Sequence, residues 1–446
     1  MSLPLEGIRD CFEGVIPATM ATTGADAMPN IAYLSHVHYV DAHHIALSYQ
    51  FFNKTRQNIL ARPWARLQVT SPVTGAQYQL ALSFLRTETS GPLFENMKAR
   101  LAGIASHTGM GNVFRLLGAD IYRVHEVTQV PSPTLPAPAY RNPLPGLRAA
   151  VEALACCADL ETLLAATLNC LRSQFNIEHA MVLMADGARE RLYTVASHGY
   201  ENSGVGSEIP FGQGVIGVAA RERTPIRIGH MTSEYAYSRA IRENLRKDNG
   251  AAAIELEIPL PGLTDPHSQM AVPVLACQRL LGVLYVESGE DLRFGYDDED
   301  VLASLASHLG AMIFLLQGAA EEAADTPLPA PPDELPRQGM PLVVRHFASN
   351  DSIFLDEDYL IKGVAGAILW NILRDYAASR RVAFTNRELR LDSRIRLPDL
   401  ADNLEARLLL LSRRLLERQA AVQLQKTGRG KFQLCVSRPV QLLEQA

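Results

Sequence analysis

Hydrophobic positions follow three different rhythms along the chain. Near the amino end "PATMATT", "PNIAYLSHVHYV" and "ARLQVTS" mix hydrophobic and polar positions as half-buried strands do, and the short apolar run "HIALSY" reads as another strand. Gly24 and Pro29 punctuate a turn between the first two runs, and "IYRVHEVTQV" reads as the strand that closes this set. Further on, "FNIEHAMVLMADGARERLYTVASHGY" holds two longer apolar runs around a turn. "EIPFGQGVIGVAARERTPIRIGHM" follows with a glycine-punctuated loop, a short helix and a strand. "QMAVPVLACQRLLGVLYVES" then predicts two strands joined at "ACQRL", and "FGYDDEDVLASLASHLGAMIFLLQGAAEEA" a long helix capped by Asp297 or Asp298. In that helix Leu302, Leu305, Leu309, Met312 and Leu316 recur at spacings of three and four. This is read as the seam of a parallel dimer helix, the alternative with the same pattern being a face packed on its own sheet.

The last hundred residues change rhythm again. "DSIFLDEDYLIKG" predicts a strand pair and "VAGAILWNILRDYAASRR" an amphipathic helix through Ile368, Leu369, Ile372 and Leu373. "FTNRELRLD" starts a short helix with Thr385 or Asn386 as cap. "LPDLADNLEARLLLLSRRLLER" is a long helix entered at Pro398, with Leu400, Leu404, Leu408, Leu411 and Leu415 on one face, and "VQLQKTGRGKFQLCV" a hairpin turning at "TGRG".

Proline divides these regions. "PSPTLPAPAYRNPLP" and "PLPAPPDELPRQGMP" hold six prolines each of the chain's 26, and proline fixes φ and removes a backbone donor, so both read as stiff connectors. The expected organisation is a module over 1–130, a linker over 131–145, a module over 146–322, a linker over 323–342 and a module over 343–446. A length of 446 residues suits several cores, and 47% hydrophobic with 20% charged residues excludes global disorder. No apolar run is expected to reach the roughly 20 residues that span a bilayer, and the amino terminus lacks a signal-peptide pattern, so a cytoplasmic protein is expected. Six cysteines without CxxC spacing read as reduced, mostly buried thiols. From Arg345 onward 17 basic and 12 acidic residues give +5, which leaves −11 for the rest of a chain of net charge −6. The last module is the basic one, as phosphate-backbone binding would require.

Two constellations carry candidate chemistry. "HVHYVDAHH" puts four histidines within nine residues, but His36 and His38 share a strand face while His43 and His44 follow Asp41 in a hairpin turn. They need not converge at the short distances a metal demands, so no metal site is predicted. Shortly after, Asn53, Lys54, Thr55 and Arg56 open a helix with cations, a hydroxyl and backbone N–H groups, the ingredients of a phosphate site. In the last module Arg407, Arg414 and Arg418 fall on one helix face opposite the leucines, and Lys426, Arg429 and Lys431 flank the hairpin tip.

In strand order and loop position the first module resembles the FMN-binding split barrel of the pyridoxamine 5′-phosphate oxidase family. That resemblance implies an FMN cofactor with Ser48, Tyr49, Lys54 and Thr55 near its phosphate and Ser35, His36 and Val37 along the ring edge; "NKTR" departs from the family's usual Ser-Arg-Lys-like loop. Related barrels hold haem or a deazaflavin; haem is a minority reading to which His36, His38 and His107 speak, and a barrel kept only for shape or dimerisation is the remaining alternative. The middle module resembles a GAF domain through "FGQGVIGVAARERTPIRI", "AVPVLACQRLLGVLYVES" and "FGYDDEDVLASLASHLGAMI", which implies a small-molecule effector pocket. Tyr235, Tyr237, Arg239 and Arg242 lie where that family often covers its pocket. The last module resembles the winged-helix effector of response-regulator transcription factors, which implies DNA as partner. Arg407, Arg414 and Arg418 would then enter the major groove and Lys426, Arg429 and Lys431 would meet phosphates or the minor groove.

The expected fold is therefore multidomain α+β: a split β-barrel, a GAF α/β sandwich with an antiparallel sheet, and a C-terminal winged helix. The expected function is a dimeric one-component transcriptional regulator that senses a small molecule or redox state. The alternatives are an FMN-dependent oxidoreductase with a regulatory GAF domain and a protein-interaction scaffold. No nucleophile–base pair or catalytic carboxylate pair is evident outside the barrel, so any turnover would be the flavin's.

Overall fold

The computed structural model describes residues 3–13, 16–34, 36–49, 54–91, 93–98, 116–137, 139, 142–229, 258–323, 340–395, 397 and 404–445. The amino-terminal module opens on a 3-10 helix, Leu5–Phe12, that buries Leu5, Ile8, Cys11 and Phe12. Its strands are β1 (Ala18–Thr23), β2 (Pro29–Leu34), β3 (Val37–Asp41), β4 (His44–Tyr49), β5 (Trp64–Thr70), β6 (Gln77–Glu88) and β7 (Gly118–Val130), with helix α1 (Lys54–Ala61) after β4. They form one antiparallel sheet in the order β2-β1-β5-β6-β7-β4-β3. The alternation read from sequence is visible as burial: Ala18, Met20 and Thr22 of β1 point inward, as do Ala65, Leu67 and Val69 of β5. Inward residues of six strands meet in one core with the 3-10 helix. β6 escaped the sequence reading because half of its run is polar, yet it pairs with β5 over Gln77–Ser83 and with β7 from Gln77 to Glu88.

The middle module comprises α2 (Leu144–Ala155), α3 (Leu160–Phe175), β8 (His179–Asp186), β9 (Arg191–His198), β10 (Glu208–Pro210), α4 (Gly214–Glu222), β11 (Ile226–Ile228), β12 (Ser268–Ala276), β13 (Arg279–Ser288) and α5 (Tyr296–Ala323). Its six strands are ordered β10-β9-β8-β13-β12-β11. Helix α4 covers one face, packing Val215, Ile216 and Val218 against Met181, Leu183 and Val283. Helices α2, α3 and α5 cover the other. A sheet buried on both faces explains why these strands read as continuous apolar runs instead of alternating. Asp159 caps α3 by accepting the Thr162 N–H at 2.9 Å.

Helix α5 corrects two expectations. Leu302, Leu305, Leu309 and Leu316 of the seam are buried inside this chain's own core, with Met312 packed against it, so the heptad pattern records packing on the helix's own sheet. Gly310 shows how close that packing is, since a Cβ there would collide with the Leu275 carbonyl oxygen. The same helix contains a 22-residue stretch, Tyr296–Gln317, of mean hydropathy 1.4, long and apolar enough to cross a bilayer, contrary to the expectation that no run approaches that length. Its buried face accounts for that composition without a membrane. The thiols depart from expectation too: Cys11 and Cys170 are buried, whereas Cys156 and Cys277 are exposed and Cys157 and Cys435 half-buried.

The carboxy-terminal module contains β14 (Leu342–Phe347), β15 (Ser352–Leu355), β16 (Asp358–Ile361), α6 (Gly363–Ser379), β17 (Ala383–Thr385), α7 (Asn386–Leu391), α8 (Leu404–Glu417), β18 (Val422–Gly428), β19 (Lys431–Val436) and β20 (Val440–Gln445). The expected strand pair, β15 and β16, belongs to a four-stranded sheet, β16-β15-β14-β20, in which the chain's end runs parallel to β14. A second sheet, β17-β19-β18, carries the hairpin. Thr385 is the cap of α7 and forms a full capping box with Glu388. The expected entry of α8 at Pro398 lies outside the described residues.

The modules are not independent bodies. Leu410, Leu411 and Leu415 of α8 belong to the same apolar core as Tyr193, Val195 and Val205 of the middle module. The amino-terminal module meets the middle one through ions: Arg227, buried, pairs with Glu13 and with Glu299, and Arg9 pairs with Asp300 at 3.0 Å.

Candidate functional site

The amino-terminal loop shows what the chain does with its candidate phosphate ligands. Ser48 and Tyr49 end β4, and Lys54, exposed, begins α1. Thr55 is buried and accepts from the Asn30 amide at 2.9 Å. Arg56 turns inward: it forms an ion pair with Asp120 of β7, donates to Thr87 Oγ1 at 3.0 Å, and lies 3.7 Å from the Tyr49 ring centre. Thr87 in turn donates to Asp120 at 2.6 Å. A phosphate brought to Arg56 would meet the Asp120 carboxylate, so the guanidinium is committed within the module. The fit to a flavin phosphate is therefore partial, with Lys54 the described cation that faces solvent.

The ring-edge residues are drawn partly into the core. Val37 is buried among the strands, and His36 is buried with its carbonyl accepting the Ser48 N–H at 3.2 Å. Ser35, Asn53 and His107 lie outside the described residues. The four histidines of "HVHYVDAHH" separate as their spacing suggests. His36 and His38 have ring centroids 6.0 Å apart, while His43 and His44 form the β3–β4 turn around Asp41. Asp41 accepts from the His43 N–H and the His44 ring, each at 2.8 Å. Partial burial opposes ionisation of Asp41 but these donors outweigh it and hold its carboxyl below the usual range. Among the described residues no group of three or more His, Cys, Asp or Glu is placed to hold a metal ion.

In the middle module, Tyr235, Tyr237, Arg239 and Arg242 lie outside the described residues. A polar cluster that the sequence reading passed over is present instead at the end of β13. Buried Glu287 accepts from the Leu263 N–H at 2.8 Å, the Tyr285 hydroxyl at 3.0 Å and the Gln269 amide at 3.4 Å. Burial, followed by the charge of Glu287, pushes the Tyr200 hydroxyl far up. The carboxylate ties the 258–265 strap to the sheet. A carboxylate inside the apolar run "GVLYVES" was the available signal.

The carboxy-terminal cations divide into two groups. Arg418, Lys426 and Arg429 are exposed, and Lys431 is half-buried beside the hairpin turn. Arg407 and Arg414 are buried, which corrects the expectation that they stand with Arg418 on an open face. The reason is a neighbour that sequence spacing cannot reveal. Arg407 Nη2 lies 2.7 Å from Asp186 Oδ2 at the end of β8, and its guanidinium stacks 4.0 Å from the Tyr193 ring centre on β9. Arg414 donates to the Leu360 carbonyl at 3.2 Å and pairs with Glu417 at 3.0 Å. Burial lowers the pKa of Arg414 despite that carboxylate. Arg413, not singled out by sequence, donates to the Val195 carbonyl at 2.5 Å. Lys426 bridges to Asp159 at 2.9 Å. Beside these contacts a cavity of about 90 Å³ lies between the start of α3 and the α8–hairpin surface, lined by Leu160, Glu405, Leu408, Leu409, Leu424 and Phe432.

Comparison with known proteins places the middle module. No curated protein matches the chain. Among solved structures the chain is similar to an FMN-binding protein from Syntrophomonas wolfei subsp. wolfei, at 17% identity and TM-score 0.25, covering 29% of this chain and 86% of that one. It is also similar to the GAF domain of a phosphoenolpyruvate-protein phosphotransferase from Coxiella burnetii, at 21% identity and TM-score 0.32, covering 40% of this chain and 96% of that one. A free methionine-R-sulfoxide reductase from Neisseria meningitidis, solved with its substrate, is similar at 21% identity and TM-score 0.30, covering 40% and 93%. Residues 159–313 match the family model of the GAF domain, and the middle module of this chain is a GAF domain.

Proposed function

We propose that this chain is a sensory regulator in which a small molecule bound by the GAF domain governs a winged-helix, DNA-binding carboxy-terminal module. The observation that carries the reading is the arrangement of α8 and the hairpin that follows it. A four-stranded sheet, three helices and a glycine-tipped hairpin succeed one another, and the tip between Gly428 and Gly430 presents exposed Arg429, with Lys426 and Lys431 on its two strands. Cations on a hairpin beside a helix suit phosphates on either side of a groove. The net charge of +5 from Arg345 onward supports the same partner.

Fluorescence titration with a mixed-sequence duplex tests this reading. Each phosphate neutralised releases counterions, so affinity should fall steeply between about 50 and 200 mM salt. Absence of binding at the low end, or a flat profile, would transfer the module to a protein partner.

In the amino-terminal module a flavin would be held through Lys54 and the start of α1. When bound it would supply redox chemistry. The absorption spectrum of the purified chain tests this directly: flavin bands support a redox input, and a featureless spectrum leaves sensing to the GAF domain.

A further inference from the structure

We propose that the GAF sheet clamps helix α8 in an inhibited position, and that DNA engagement requires the clamp to open. The inference rests on the DNA-binding reading of the carboxy-terminal module and adds the mechanism by which the GAF domain would control it.

The clamp is built on two neighbouring strands and the loop after them. Asp186 closes β8 and holds Arg407; their side chains are each 5% exposed. Tyr193 on β9 stacks on the same guanidinium, and the Val195 carbonyl on that strand accepts from Arg413. Ser203 in the following loop donates to Glu417 at the end of α8. Gly206, at φ +91, faces the helix in the same loop: a Cβ there would make ordinary contact with Arg414 Cδ at 3.6 Å and Leu410 Cδ1 at 3.7 Å, and its one clash would be with Ile258 Cδ1 of the GAF domain at 2.7 Å. Lys426 of the hairpin is held separately by Asp159 at the start of α3. Arg407, Arg413 and Lys426, cations that a groove-reading helix and its hairpin would offer to DNA, are thus spent on the GAF domain.

Two features make this contact suited to release. Its central element is a buried ion pair, whose mutual attraction is offset by the cost of stripping water from both partners, whereas an apolar replacement would seal the surfaces more firmly. Opening would return both charges to water and, on DNA, give Arg407 a phosphate or base edge in place of Asp186. The same strands also face the opposite side of the sheet, where Met181, Leu183 and Leu192 pack in the α4 core. A ligand that repacks the α4 side therefore acts on the strands that hold α8.

The test uses the full chain with Asp186→Asn, which neutralises the charge while keeping an acceptor for the Arg189 N–H that Asp186 now binds at 3.2 Å. Tyr193→Leu, which removes only the stacking ring, is the second variant should the first fold poorly. Amide hydrogen exchange of α8 and affinity for the mixed-sequence duplex are read together. Both variants should speed exchange in α8 and tighten DNA binding by about 5- to 150-fold, the usual range of coupling between sites, with Asp186→Asn the stronger. Unchanged exchange in α8 in both folded variants would overturn the clamp. Faster exchange with DNA affinity equal to wild type would overturn its inhibitory role while leaving DNA binding in place. Faster exchange with no DNA binding by any form would instead overturn the DNA reading, and inhibition with it.

Discussion

Arg56 and Arg407 occupy stretches that read, in sequence, as facing a cofactor phosphate and a DNA groove, and the structure places each against a buried aspartate. The difference lies in where the aspartate comes from. Asp120 is on β7 of the same module as Arg56, with Thr87 and Tyr49 completing the site. Asp186 belongs to the GAF domain, whereas Arg407 belongs to the module after the second proline-rich linker. A partner within one sheet cannot leave without unfolding that sheet. A partner across a module boundary can leave when the modules part. The same chemistry is thus a fixed structural bond in one place and a removable restraint in the other.

The largest effect should come from breaking the fixed pair. Asp120→Ala strands a guanidinium whose side chain is only 14% exposed, and loss of one member of a buried pair costs up to about 3–5 kcal/mol. Urea unfolding of the purified chain should show a correspondingly earlier transition; a midpoint within error of wild type would mean that Arg56 already reaches water. Asp186→Ala in the same assay should cost clearly less, because Arg407 can recover solvent when α8 lifts. An equal loss would make the GAF contact part of a permanent core and remove the contrast between the two arginines.

Finer effects separate exposed from buried cations of the carboxy-terminal module. Arg418→Ala and Arg429→Ala should each reduce the slope of log affinity against log salt by about one, the signature of a lost phosphate contact. If neither changes the slope, the exposed side chains are not the DNA contacts.

The smallest effect expected is an acid-dependent loosening at the rim of the clamp. Burial disfavours the Asp159 carboxylate, but Lys426 and the Thr162 N–H more than compensate, holding its pKa at about 2 against an ordinary 3.8. A depressed acid stabilises the folded arrangement above its unfolded pKa, and that contribution is lost as pH falls from about 3.8 through about 2. Exchange in β18 and in the first turn of α3 should accelerate across that window, and Lys426→Ala should weaken the change in β18. Constant exchange down to pH 2 would remove Asp159 from the restraint.

Much of the fold was legible because local patterns and tertiary packing agree. Alternation marked β1 and β5, the apolar runs marked β8, β12 and β13, and "FTNRELRLD" offered Thr385 or Asn386 as a cap, of which the structure uses Thr385. β6, β14 and β20 were missed. β6 carries polar residues at many positions, and β20 gains its place only by pairing with β14 almost a hundred residues away. The candidate sites were less legible than the fold. Sequence spacing puts Arg407 and Arg414 on one side of a helix, but it is silent on whether that side faces solvent or a neighbouring domain.

The sequence by itself determined the residue types, the helix and strand periods, the two proline-rich connectors and the excess of positive charge toward the carboxy end, all consequences of short-range chemistry. Tertiary structure alone decided what the apolar seam of α5 packs against and which arginines are neutralised. Those outcomes depend on which surfaces meet, and groups such as Asp186 and Arg407, 221 positions apart, become partners only when folding removes the water between them.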